Sequence, residues 1–172
     1  MKTKKQAELL DAFLSTVGDE LEAVFKDIAD HLCALGYHPQ KSKSNLIFKH
    51  DAHNKQIAKM GMRTGKQPHP FFSLRFSACR GYSKRIADVV AATIVKYPTR
   101  APRCPEGQCD YCAGEALSHV YTEVLPNGDM GMWCGAYAME IPDLCTDDLP
   151  EIRRLIGEEH DYLMVHEAMP QG

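Results

Sequence analysis

The segment Phe71–Ala78 places the strongest constraint on how this chain folds. Apolar residues occupy its even-numbered positions, whereas serine and arginine occupy positions 73, 75 and 77. Because successive side chains of a strand point to opposite faces, this pattern places one apolar face against a core. A strand of this kind needs neighbouring strands and a covering layer to be stable. The segment therefore predicts a β-sheet with one buried face.

Further strands are predicted on both sides of this segment. Asn45–His50 and Gln56–Arg63 precede it, separated by a turn at residues 51–54, and the three strands together form an antiparallel meander. The loop that leads to Phe71 contains a glycine and two prolines, which end both flanking strands. Three more strands are predicted later in the chain, the first two joined by an Asn-Gly turn: His119–Leu125, Met130–Cys134 and Ala136–Ile141.

The N-terminal segment is predicted to be helical. Between Leu10 and Leu35, apolar residues recur at three- and four-residue steps, which is typical of one face of an α-helix. Gly18 interrupts the stripe, so the segment forms one long helix or two shorter ones. Thr16 and Asp19 offer a capping box for a second helix.

Two further helices complete the predicted fold. One runs from about Ser83 to Lys96 with Ser83 as its N-cap, and the last begins near Asp148. Strands flanked by helices indicate an α+β fold with an antiparallel sheet. In chain order we expect an N-terminal helix, a three-strand meander, a helix, a metal-knuckle hairpin and a C-terminal helix. We expect a single domain over residues 1–172, with residues 98–135 as a cysteine-rich metal-knuckle and hairpin insertion.

Charge is distributed unevenly along the chain. Residues 1–103 carry 18 Lys and Arg against 9 Asp and Glu, a net charge of +9. Residues 104–172 carry 2 against 14, a net charge of −12. Such asymmetry indicates either a surface for nucleic acid or another acidic ligand, or two halves that face each other.

The basic residues concentrate between positions 41 and 103, where Asp51 and Asp88 are the only acids. Arg75 is predicted on the strand face opposite the apolar one, and a twisted sheet with a basic face can hold phosphates or another anion. We therefore expect an anionic small molecule or nucleic acid as partner. A membrane partner is not expected, because no stretch approaches the roughly 20 apolar residues of a membrane span.

The seven cysteines are an odd number and do not suggest a disulfide framework. Near the N-terminus, Glu8 and Asp11 appear before any apolar run develops, unlike in a secretory signal. We therefore expect a cytoplasmic protein, in which thiols stay reduced. Cys33 and Cys79 lie in apolar helix and strand patterns and are predicted to be buried small hydrophobes.

The other cysteines form a metal-binding pattern. Cys104, Cys109 and Cys112 lie within nine residues, and the predicted hairpin delivers Cys134. Four thiolates can close a tetrahedral site around one ion, and the two-residue gap between Cys109 and Cys112 lets both sulfurs reach it. The sequence therefore predicts a structural zinc site at Cys104, Cys109, Cys112 and Cys134. His119 and Cys145 are the alternative fourth ligands.

The same loop resembles the cluster loop of plant-type two-iron ferredoxins. It combines Cys-x4-Cys-x2-Cys with Gly107 before the second cysteine and Ala113-Gly114 after the third. The resemblance implies an iron–sulfur cluster held by the same four cysteines. Asp110 and Tyr111 depart from that family, which favours small residues there.

Catalytic motifs are weak in this sequence. A redox pair at Cys109 and Cys112 would need a helix start after it, which residues 113–115 do not make. His50, His53 and His69 lie in or near turns and are predicted to face solvent. We therefore favour a non-enzymatic cytoplasmic binding protein with a structural zinc site and a basic sheet face. The alternative is a redox or electron-transfer protein that uses Cys104, Cys109, Cys112 and Cys134 for an iron–sulfur cluster or dithiol chemistry.

Overall fold

Within residues 3–98 and 119–167, which the computed structural model describes, the chain forms four α-helices. They are α1 (Lys4–Leu14), α2 (Asp19–Ala34), α3 (Lys84–Lys96) and α4 (Leu149–Glu167). No helix in this part of the chain combines the length and the apolar character needed to cross a bilayer.

The N-terminal apolar stripe divides into α1 and α2 at Gly18. The predicted capping box of Thr16 and Asp19 is wrong, because the Thr16 hydroxyl donates to the carbonyl of Phe13 at 2.6 Å and Gly18 is the N-cap of α2. Three acidic residues in the first turn of α2 compensate, since carboxylates interact favourably with the positive end of a helix. The predicted N-cap of α3 is confirmed, as the Ser83 hydroxyl accepts from the amide of Ile86.

An antiparallel five-stranded sheet forms the centre of the molecule, which confirms the α+β prediction. Its strands are β1 (Tyr37–Ser42), β2 (Asn45–His50), β3 (Gln56–Arg63), β4 (His69–Leu74) and β7 (Met139–Ile141). They lie side by side in the order β1-β2-β3-β4-β7.

The sheet is wider than the predicted three-strand meander, because β1 and β7 extend it on either side. The sequence pattern missed β1 since Pro39 lies within it, and proline is tolerated only where no ladder hydrogen bond is needed. Pro39 pairs with Phe48 on the outer strand of the sheet. Gly36, with φ of 89°, reverses the chain between α2 and β1.

The apolar face of the sheet is covered by α1, α2 and α4. Register places Leu46, Met60, Phe72 and Ile141 in one row across this face, and each is buried. The helices bury their own apolar residues against these strands, and the fully buried members include Ile28, Leu32, Ile152, Leu155 and Ile156.

The opposite face of the sheet meets a different layer. Strands β5 (Val120–Val124) and β6 (Met130–Cys134) form the predicted hairpin, which packs on α3. The contact is close, because a Cβ built at Gly131 would lie 2.5 Å from the Ile94 side chain. The layer of α3 and the hairpin covers the β7 end of this face and leaves room over β3 and β4.

The predicted strand Phe71–Ala78 leaves the sheet earlier than expected, since β4 ends at Leu74. Phe76 is still fully buried, but its ring packs edge-to-face on Tyr82 and Tyr121 instead of lying in the sheet. The backbone amide of Phe76 donates to the Tyr121 hydroxyl at 2.9 Å. Apolar alternation therefore predicted burial correctly here but not the end of the strand.

Ion pairs join the basic and acidic parts of the chain. Among the described residues, three arginines of the first part contact acids of the second: Arg63 with Glu140, Arg75 with Glu159, and Arg85 with Asp148. This supports the interpretation that the two halves face each other. It also corrects the prediction that Arg75 belongs to an open basic face, because only 2% of that residue is exposed.

Candidate functional site

A cleft of about 1420 Å³ lies between the uncovered part of the sheet and α3. Residues of β3 and β4 form one wall, and one face of α3 forms the other. The end of β6 and the turn before β7 close one side. The lining side chains used below are Lys59, Arg63, Phe71, Lys96, Tyr97, Trp133, Tyr137 and Glu140.

The sheet wall is built around the ring of Phe71. Phe71 pairs with Gly61 on β3, and its ring lies against that glycine, since a Cβ there would be 2.9 Å from the ring. Lys59 and Arg63 occupy the same face of β3, two residues to either side. The Lys59 Nζ lies 5.4 Å and the Arg63 Cζ 4.2 Å from the ring centroid, which is within cation–π range.

The helix wall presents short side chains, the cations Arg85 and Lys96 and the carboxylate of Asp88 to the cleft. Ala92 and Thr93 leave space along α3, and Lys96 lies in its last turn. Arg85, at the other end of α3, donates to both carboxylate oxygens of Asp148 and to the carbonyls of Pro142 and Asp143. Arg85 therefore ties α3 to the chain before α4, and Lys96 is the cation that this wall offers to a ligand.

Three aromatic rings border the cleft beyond Lys96. The Trp133 ring centroid lies 5.7 Å from that of Tyr97 and 6.4 Å from that of Tyr137. The indole nitrogen donates to the Tyr137 carbonyl at 3.4 Å. Tyr97 is 48% exposed and Tyr137 47% exposed. We call Tyr97, Trp133 and Tyr137 the aromatic row.

The cleft carries more positive than negative charge near its walls. Glu140 is paired with Arg63, and Asp88 with Lys84. Among residues 3–98 and 119–167, neither Lys59 nor Lys96 has a carboxylate partner, and both lie near aromatic rings instead. The two lysines belong to different walls of the same cleft, Lys59 to β3 and Lys96 to α3.

The predicted metal ligands are divided by the limits of the described structure. Cys104, Cys109 and Cys112 lie outside the described residues. Cys134 ends β6 as a half-buried free thiol. Within residues 3–98 and 119–167, no three His, Cys, Asp or Glu side chains form a group that could hold a metal ion.

The chain on either side of residues 99–118 is attached close to Cys134. The Pro98 carbonyl accepts a hydrogen bond from the amide of Met132 at 3.0 Å. On the other side, Val120 pairs with Cys134 in the hairpin. The backbone of His119 packs on Gly135, where a Cβ would lie 1.7 Å from the His119 carbonyl oxygen.

The two alternative fourth ligands occupy different environments. His119 is 2% exposed, and its ring centroid lies 6.3 Å from that of Tyr162. Cys145 is exposed, and its thiol lies 3.5 Å from the Asp148 carboxylate. Of these two, His119 lies nearer to Cys134 in the fold, because it directly precedes Val120, the residue of β5 that pairs with Cys134.

A second cluster, of four rings, lies where α4 meets β1 and β2. His69 is exposed, as predicted, whereas His50 and His53 are half-buried. The rings of His50 and His53 stack at 4.4 Å, and both contact Tyr37 edge-to-face. The His160 ring of α4 lies 5.6 Å from that of His50, and its Nδ1 is 3.3 Å from the Tyr37 hydroxyl. Burial, and secondarily the charge of His50, lowers the pKa of His160.

The sequence pattern did not predict the aromatic row, nor that Lys59 and Lys96 line the same cleft. Tyr97 ends a helix, Trp133 lies in a hairpin strand, and Tyr137 lies in the turn after it. The short Cys134-Gly135 turn between Trp133 and Tyr137 could have indicated that these two rings lie close together. Nothing in the sequence indicated that Tyr97, more than 30 residues earlier, lies beside them.

Comparison of the chain with protein-family models, with curated proteins and with solved structures gave no match.

Proposed function

We propose that this chain is a non-enzymatic cytoplasmic binding protein whose cleft takes an anionic ligand. One observation carries the proposal. Lys59 on the sheet wall and Lys96 on the helix wall line the same cleft, and in the described chain neither is neutralised by a carboxylate. Two cations held apart on rigid elements attract an anion between them more strongly than either does alone.

Arg63 and Phe71 add to this site. Arg63 lies over the Phe71 ring and pairs with Glu140, so its guanidinium is held in place. An arriving phosphate or carboxylate can share its donors, since a guanidinium has five N–H groups in a fixed geometry. An anionic partner would thus contact Arg63, whose position is fixed by Glu140, and Lys59 and Lys96, which have no carboxylate partner in the described chain.

We also propose that Cys104, Cys109, Cys112 and Cys134 hold one structural zinc ion. The spacing of the three loop cysteines supports this, and so does the attachment of Pro98 and Val120 next to Cys134. A segment held on both sides at β6 can return its thiolates to the Cys134 sulfur at a modest entropic cost. Zinc would tie residues 99–118 to the hairpin that carries Trp133. A brown colour of the purified protein would indicate the iron–sulfur alternative.

The anion site is tested by titrating the full chain with inorganic polyphosphate, followed calorimetrically at several salt concentrations. We expect the affinity to fall as salt rises, because counterions are released on binding. Lys59→Glu and Lys96→Glu should each weaken binding clearly.

The matched control is Lys5→Glu, which makes the same charge change on exposed α1, on the other side of the sheet. Its affinity should stay within about twofold of the unaltered protein, as expected for a distant charge beyond the roughly 10 Å screening length at moderate salt. Equal weakening by all three changes, or no binding at low salt, would contradict the proposal.

A further inference from the structure

The aromatic row places large rings in partial contact with water at the edge of a basic cleft. Its two outer members, Tyr97 and Tyr137, keep nearly half of their surface exposed. Each is tilted against the indole of Trp133, with interplanar angles of 54° and 73°. Neither tyrosine ring is therefore stacked face to face on the indole of Trp133. Exposed rings grouped in this way are characteristic of ligand-binding surfaces.

Cations accompany the rings on both sides of the cleft. On one side, the Lys96 Nζ lies 5.3 Å from the Tyr97 ring centroid. On the other, Lys59 and Arg63 flank Phe71. A ligand that spans the cleft thus meets aromatic surface and positive charge repeatedly, on two walls made of separate secondary-structure elements.

This alternation suits a chain of planar rings joined by anionic links. Single-stranded nucleic acids have that composition, because each nucleotide offers a base face for stacking and a phosphate for a cation. A duplex hides its base faces within the stack and offers them to no aromatic side chain. An acidic peptide offers charge without a regular series of planar rings.

We propose that the cleft binds single-stranded nucleic acid, with bases stacked on Tyr97, Trp133 and Tyr137 and phosphates held by Lys59, Arg63 and Lys96. This inference rests on the proposed anion-binding function and specifies its ligand. Recognition through base faces does not depend on base identity, so binding is tolerant of sequence.

Trp133 provides the probe, since it is the single tryptophan of the chain and lies within the row. The full-length protein is titrated with a short oligo-dT strand, with an abasic strand of the same length and charge, and with a duplex. We expect oligo-dT to quench the fluorescence of Trp133 and to bind at least tenfold more tightly than the abasic strand, which corresponds to about 1.4 kcal/mol of stacking. The duplex should bind no better than the abasic strand.

Two variants separate stacking from charge. Tyr137→Ala should weaken oligo-dT binding roughly tenfold and leave abasic binding unchanged, whereas Tyr137→Phe should retain the affinity because stacking needs the ring and not the hydroxyl. Lys59→Glu should weaken both ligands. Thermal unfolding of each variant checks that the fold is kept.

The outcomes distinguish the two proposals. If the abasic strand or the duplex binds as tightly as oligo-dT, or if Tyr137→Ala affects oligo-dT and the abasic strand equally, the nucleic-acid inference is overturned and the anion site stands. If neither oligo-dT, nor the abasic strand, nor inorganic polyphosphate binds at low salt, both are overturned.

Discussion

The guanidinium of Arg75 and the carboxylate of Glu159 form a buried ion pair between residues 84 positions apart, with 2.6 Å between Nε and Oε1. Glu159 also accepts from the backbone amide of Ala78 at 2.8 Å and from the Ser77 hydroxyl at 3.4 Å. Burial raises the pKa of the Glu159 carboxyl, and the charge of Arg75 together with these hydrogen bonds opposes that effect. The pair ties the end of β4 to α4 across the core.

Breaking this pair should destabilise the protein strongly. Arg75→Met or Glu159→Leu alone leaves one buried charge without its counterion and should lower the free energy of unfolding by about 3–5 kcal/mol. The double variant should recover much of this loss, because a buried pair replaced by apolar residues of similar volume is often close to neutral. Urea unfolding of the three variants measures the coupling, with Arg153→Ala, which removes a surface pair with Asp27, as a control of small effect. Additive losses in the double variant would contradict this account.

Acid should weaken the contact between α4 and the sheet at the four-ring cluster. The pKa of His160 is lowered in the folded protein, so the unfolded chain takes up this proton more readily. The free energy of unfolding should therefore decrease as the pH falls below about 6.5, the ordinary histidine value, and the decrease should level off below the folded pKa. His160→Gln should show a flatter dependence in urea unfolding between about pH 7.5 and about pH 5.5.

His69→Gln serves as the control for the pH experiment, since His69 is exposed at the start of β4. Its pH dependence should match that of the unaltered protein. An unchanged slope in His160→Gln would show that other groups produce the acid effect.

Loss of the metal should affect the hairpin region more than the core. Cys134→Ser should abolish or reduce zinc content, because a hydroxyl is a poor zinc ligand. Chelation should have the same effect and act more strongly at low pH, where protons compete for thiolates. Elemental analysis and hydrogen exchange over β5 and β6 measure both consequences. Cys33→Ser, which alters a half-buried thiol of α2, should keep the metal, and a native protein without bound metal would contradict the zinc proposal.

Two glycines should respond in opposite directions to alanine. At Gly135 the new Cβ would lie 1.7 Å from the His119 carbonyl oxygen, so the backbone must shift and the melting temperature should fall. Gly157 lies inside α4 with nothing within 4 Å of a built Cβ. Gly157→Ala should stabilise the protein by about 1 kcal/mol, the difference in helix propensity. Calorimetric melting of both variants checks the signs, and a neutral Gly135→Ala would show that the hairpin is held less tightly than the structure indicates.

The amino-acid sequence alone determined the elements whose signals are local. The bounds of β2, β3 and β6 match the predicted ranges. The alternation of apolar and polar residues and the turn residues that predict a strand all lie within the strand or next to it. Ser83 begins α3 as expected, since an N-cap bonds only to its own first turn. Cys134 remains a proposed ligand on the strength of spacing, together with Cys104, Cys109 and Cys112.

Only the tertiary structure decided what depends on contacts between distant segments. It buried Arg75 against Glu159 and removed it from the basic face, because the partner lies 84 residues away. It also brought Tyr97 to Trp133 and placed Lys59 and Lys96 in the same cleft. Strand order and helix docking place such residues together, and neither is encoded in the periodicity of a single segment.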